Sequence, residues 1–152
     1  MEYAIGIGLA LGVAAFARIA GLDRDRAFYP TLAIAVASYY VLFAAMSGHE
    51  HVLHTEVVVA AAFVGVAVLG FRSSSWFVVA ALAAHGVLDA FHGHVVANPG
   101  VPEWWPAFCA AFDVSAAGVL ALRLACRGVA RRRQRAALVA PRVVDGAHVA
   151  AE

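Results

Sequence analysis

The chain is poor in charge and has no lysine: charged residues make up 14% of its 152 positions, and every basic one is an arginine. A soluble domain of this length carries nearer a quarter charged residues. With 63% hydrophobic residues and a mean hydropathy of +0.80, that composition excludes an ordinary soluble domain. It predicts an all-α, multi-pass integral membrane bundle with no separate soluble module. Cysteine is scarce as well. Cys109 and Cys126 fall near opposite ends of one predicted helix and cannot reach each other, which rules out a disulfide framework. No Gly-rich phosphate loop, G-x-S-x-G elbow or internal repeat is present. The opening Met1-Glu2-Tyr3 lacks a basic stretch, so a retained first span is expected rather than a cleaved signal peptide.

What the chain does have is five apolar runs. They extend from about Tyr3 to Leu22, Phe28 to Ser47, Thr55 to Phe71, Trp76 to Val96 and Ala107 to Ala125. Pro30 falls in the first turn of the second, where its missing N–H is harmless. The third run is short for a crossing, so its helix is expected to begin earlier, near His51. Asn98-Pro99-Gly100-Val101-Pro102 breaks the chain sharply after the fourth, and Trp104 and Trp105 suit a membrane–water interface. The expected organisation is a transmembrane bundle over 1–126 and a basic, flexible cytoplasmic tail over 127–152.

The arginines fall at three places: Arg18, Arg24 and Arg26; Arg72; and Arg123 onward. With five spans these lie on one side, which the positive-inside rule makes cytoplasmic. The N-terminus, the histidine-rich connection His49–His54 and the connection Asn98–Pro106 then face outward. The cluster Arg131-Arg132-Arg133-Gln134-Arg135 is a topology signal and a contact for anionic lipid headgroups, at about 1 kcal/mol per basic residue. Without interleaved aromatics or a binding module it gives no support to nucleic acid as a partner.

One feature stands out against this apolar background. His85, Asp89 and His92, at spacings of four and three, fall within roughly 60° of one another on a helix and span about 10 Å of it. Ionisable groups inside a membrane are expensive and usually functional. Treating the fourth and fifth spans as a hairpin centred near residue 101 places Asp113 level with Asp89, about 10 Å below the outer end. Glu56, early in the third span, is the expected fifth member. His94 points away from the triad. Cys109 lies one turn before Asp113, as a small packing residue or a soft ligand, and Tyr39 or Tyr40 is placed to line a cavity.

Imidazole nitrogen and carboxylate oxygen together suit a divalent transition metal, whose charge offsets the burial of the acids. His85, Asp89, His92, Asp113 and Glu56 are the candidate ligands for one or two ions of iron, copper, zinc or manganese. Asp89, Asp113 and Glu56 are the candidates for catalytic acids or bases. Two other readings stand beside this one: a metal-free acid–base or proton-relay cluster, and polar packing between helices. His49, His51 and His54 are either solvated loop residues or additional ligands.

The pattern Glu56, then His85-x3-Asp89-x2-His92, Asn98-Pro99 and Cys109-x3-Asp113 resembles a family of small uncharacterised bacterial membrane proteins. In that family two adjacent histidines close the first motif. Here Gly93 separates His92 from His94, which puts a role for the second histidine in question. The resemblance implies a bacterial plasma-membrane protein with a site at these residues and supplies no activity. The repeated histidine boxes of membrane desaturases are absent; membrane isomerases and terpene cyclases offer a metal-free analogy. The expected function is a metal-dependent membrane oxidoreductase or hydrolase acting on a membrane lipid or lipophilic small molecule. The alternatives are a metal-free lipid isomerase or cyclase, and a protein that handles metal ions or protons without catalysis.

Overall fold

The computed structural model describes residues 1–139. It is all-α, with five helices each long and apolar enough to cross a membrane. Helix α1 covers Glu2–Ala20 and ends at Gly21, whose φ of 77° is a left-handed conformation that favours glycine. A short 3-10 turn, Leu22–Arg24, leads to α2, Phe28–Ser47. Helix α3 covers Glu50–Arg72, starting ahead of His51 as its short apolar run requires. Helix α4, Ser75–Val95, is capped by Ser74, whose hydroxyl accepts the Trp76 N–H at 3.4 Å.

Helix α5 covers Trp105–Val139 and is longer than the expected span. It does not stop near Ala125. The arginine-rich stretch through residue 139 continues the helix because Ala, Leu, Arg and Gln are all good helix formers. Its residues from Ala125 to Leu138 are exposed. The remainder of the expected flexible tail, 140–152, lies outside the described residues.

Helix α5 packs against both α1 and α4, α4 against α3, and α3 against α2. Helices α1 and α2 are consecutive in sequence, yet they do not pack on each other. A cleft of about 740 Å³ opens between them, bounded by Leu9, Leu32, Val36 and Tyr39 and backed by Phe108 and Cys109 of α5. The outward surface carries large apolar side chains all round, among them Phe16, Leu42, Val58, Phe91 and Leu122. In water such a surface would be a liability; against lipid it is the expected exterior.

Two apolar clusters lie along the bundle. The larger joins Val36, Ala67, Leu82, Phe112 and Ala116, and the smaller joins Ala44, Val52 and Val96. The end near the smaller cluster carries the histidine-rich connection, and the opposite end carries the arginines. At the arginine end the buried Asp23 carboxylate pairs with Arg123 and lies 3.6 Å from Arg18. Arg123 also donates to the Tyr29 hydroxyl at 3.2 Å, so one buried acid ties α1, α2 and α5 together.

Candidate metal centre

Between the two apolar clusters every helix but α1 contributes a polar side chain to the interior. On α2 the sequence runs Val36, Tyr40, Ala44; on α4, Leu82, then His85, Asp89 and His92, then Val96. Helical periodicity produces this layer, since positions four and three apart fall on one face while their neighbours turn outward. His85, Asp89, His92, Asp113 and Glu56 are all buried, each no more than 3% exposed. His94 is exposed, as its place on the opposite face requires.

The five expected site residues form two groups. In the first, His85 Nδ1 lies 2.6 Å from Asp113 Oδ2 and 3.4 Å from Asp89 Oδ2. One donor atom from each of these three residues falls within 4.8 Å of the others, a grouping that could hold a metal ion. In the second, Glu56 Oε1 accepts from His92 Nε2 at 2.9 Å and from Asn98 Nδ2 at 2.9 Å. The Tyr40 ring joins the two groups. It stacks on His92 with centroids 3.8 Å apart and planes 11° from parallel, and its centroid lies 5.9 Å from that of His85.

The hairpin register differs from the expected one. A Cβ built on Gly86 would lie 3.3 Å from the Asp113 Cβ, 3.1 Å from the Ala110 carbonyl and 2.9 Å from a Val114 methyl. Asp113 is therefore level with His85 and Gly86, about one turn below Asp89. The cause is the connection, which folds back into the bundle instead of forming a symmetric loop. Asn98 donates to the Tyr40 carbonyl at 3.1 Å, and Gly100 packs so tightly on the Phe43 carbonyl that no side chain would fit. Absence of a Cβ at Gly86 then lets α4 and α5 approach closely where the site lies.

Several polar atoms in and beside the first group lack a hydrogen-bond partner. Both oxygens of Asp89 and Oδ1 of Asp113 are buried without a hydrogen-bond partner, as is the Tyr40 hydroxyl. Native structures leave few such groups, and an unpaired buried carboxylate is costly. One imidazole and two carboxylates with three spare oxygens fit a borderline-hard divalent ion such as zinc, iron or manganese, and three protein ligands leave coordination positions open. The 2.6 Å contact holds one proton between His85 Nδ1 and Asp113 Oδ2, so an ion bound at Nδ1 takes the place of that proton.

Asn98 enters the sequence pattern only beside Pro99, with no role assigned to its side chain. As part of Asn-Pro-Gly it reads as a turn former. Its Oδ1 does perform that task by accepting the Gly100 N–H at 3.1 Å, but its amide hydrogens go to Glu56 and Tyr40. Nothing in a single sequence separates the two uses. His49 caps the start of α3, and His51 and His54 lie in its first turns; His49 and His51 line a cleft shared with His92, whereas His54 does not.

No protein-family model matches the chain, and neither does any curated protein or any solved structure.

Proposed function

We propose that the protein is a metal-dependent membrane enzyme acting on a lipophilic substrate, with His85, Asp89 and Asp113 as the metal ligands. The observation that carries this reading is a buried His–Asp–Asp group, donors within 4.8 Å of one another, with three carboxylate oxygens that lack a hydrogen-bond partner. A bound divalent ion would supply Lewis acidity toward a substrate or water oxygen, or redox chemistry if iron or copper occupies the site. The chain's own residues supply the rest. Glu56, oriented by Asn98 and His92, is the general base. Tyr40 separates Glu56 and His92 from the metal ligands and offers a free hydroxyl to a reacting group. Cys109 is one turn from Asp113 and lines the cleft between α1 and α2, so a lipophile entering sideways from the bilayer comes up against the wall of the site. In this reading the histidine end faces outward, the arginine end faces the cytoplasm, and Arg131 to Arg135 meet anionic headgroups of a bacterial plasma membrane.

A metal-free acid–base lipid isomerase or cyclase is the second reading, and the 2.6 Å contact between His85 and Asp113 favours it. Such a pair holds and moves a proton without an ion. Elemental mass spectrometry of detergent-purified protein separates the two. The metal reading expects stoichiometric iron, copper, zinc or manganese in wild type and its loss from folded His85→Ala and Asp89→Ala variants. Absence of metal after reconstitution with each ion would leave the acid–base reading in possession.

A further inference from the structure

At the histidine end a second cleft, of about 450 Å³, lies between the α2–α3 and α4–α5 connections. His49 and His51 line it from one side, Glu103 from the other, and the buried His92 from within. It is separate from the lateral cleft and contains none of the three groups placed on the buried metal.

Two of these imidazoles have their tautomers fixed. His49 Nδ1 contacts the Ser47 carbonyl at 2.9 Å, and a carbonyl can only accept, so Nδ1 carries the proton and Nε2 keeps its lone pair. His92 Nε2 lies 2.9 Å from Glu56 Oε1, and with Glu56 as a carboxylate that oxygen only accepts, which leaves the His92 lone pair on Nδ1. Glu56 itself is no part of the cleft wall. An imidazole with one nitrogen donating to a carbonyl or carboxylate and the other free is the arrangement found in metal-ligating histidines. The His51 ring stands 6.2 Å from that of His49, at 85°. Imidazole nitrogen binds zinc at about 2.0–2.1 Å in tetrahedral geometry, which sets two ring centroids roughly 5.2 Å apart. The two rings stand wider than that, and His51, being exposed, must turn toward His49 to share an ion with it.

We infer that this vestibule is a second site for a divalent transition metal ion, held by His49, His51 and His92. It has no carboxylate ligand and two of its imidazoles are exposed, so it binds more weakly than a buried group with two carboxylates. His92 and Asp89 share one face of α4, with the Tyr40 ring between the vestibule and the buried ligands. Glu103 on its rim adds negative charge where a cation enters.

The test is a titration of the purified full-length protein with Co²⁺, read both calorimetrically and by the visible absorption of the bound ion. Wild type is expected to take up two ions per chain in two affinity classes. The double variant His49→Ala/His51→Ala should lose the weaker class and keep the tighter one, with an unchanged melting temperature because both side chains are exposed. His92→Ala should also lose the weaker class. His85→Ala should lose the tighter class and retain the weaker. A weaker class that survives removal of His49 and His51, or is insensitive to His92→Ala, overturns the vestibule site, as does its absence from wild type. Binding confined to the vestibule, with no class sensitive to His85→Ala, would instead overturn the buried metal centre and leave this inference standing.

Discussion

Asp89 lies at the centre of the bundle, 1% exposed, and neither of its carboxylate oxygens has a hydrogen-bond partner. A carboxylate is kept in that state when something else supplies the compensating charge. If the compensator is a metal ion at His85 Nδ1, its arrival must expel the proton now shared with Asp113. Calorimetric titration of Zn²⁺ in buffers of different ionisation enthalpy is therefore expected to report proton release in wild type and a smaller release in Asp113→Asn. Equal release in both would mean that the ion does not displace this proton. Asn98 carries a second expectation. Asn98→Ala removes both donors from Glu56 and the Tyr40 carbonyl, and a buried acceptor left short costs about 1–3 kcal/mol. Its melting temperature in detergent should fall, while metal content should persist because none of the three placed ligands is touched. This scale was the most legible one in the sequence for α4. His85, Asp89 and His92 betray themselves by helical spacing in an apolar run. Asn98 does not, because a turn former and an orienting residue look alike until the turn is seen folded into the bundle.

Among the elements, α4 and α5 determine whether the site exists at all, and their spacing is set at Gly86. The Cβ contacts there, 2.9 Å to Val114 and 3.1 Å to the Ala110 carbonyl, are tighter than side chains ordinarily tolerate. Gly86→Leu is expected to force the helices apart, with a cost of about 1–3 kcal/mol from overpacking. It should also break the 2.6 Å contact between His85 and Asp113. Gly70→Leu is the control, since Gly70 meets Val78 near the arginine end, away from the site. Both variants should lose stability in thermal unfolding, and only Gly86→Leu should lose bound metal as well. Equal loss of metal in the two would mean that general loosening, not register, controls the site. The existence of the five helices was legible from apolar run length alone. The pairing of α4 with α5 was not, because a symmetric hairpin assumes a loop that leaves the bundle, whereas Gly100 and Asn98 bring this one back in. The extension of α5 through its arginines escaped notice for a different reason. Polarity ends a membrane span but does not end a helix when the residues are good helix formers.

At the scale of the whole molecule, the two ends of the bundle are chemically opposite. Among the described residues, one end holds Arg18, Arg24, Arg26, Arg72, Arg123 and Arg127, partly organised around the buried Asp23; the other holds His49, His51, His54 and Glu103 and no arginine. Insertion reads positive charge near the ends of spans, so the arginine end is expected to stay in the cytoplasm. The two cysteines make this measurable with little alteration. Cys109 is buried and Cys126 is exposed on the arginine-bearing part of α5. In intact cells a membrane-impermeant maleimide should leave Cys126 unlabelled, and lysis should expose it. In a Cys126→Ser background, Glu103→Cys should label without lysis. The opposite pattern would put the histidine end in the cytoplasm. It would also change the chemistry to be expected of the protein, because the proposed ligands would then draw an ion from cytoplasmic water. Orientation therefore determines which compartment's ions and which leaflet's lipid would reach the proposed site at His85, Asp89 and Asp113.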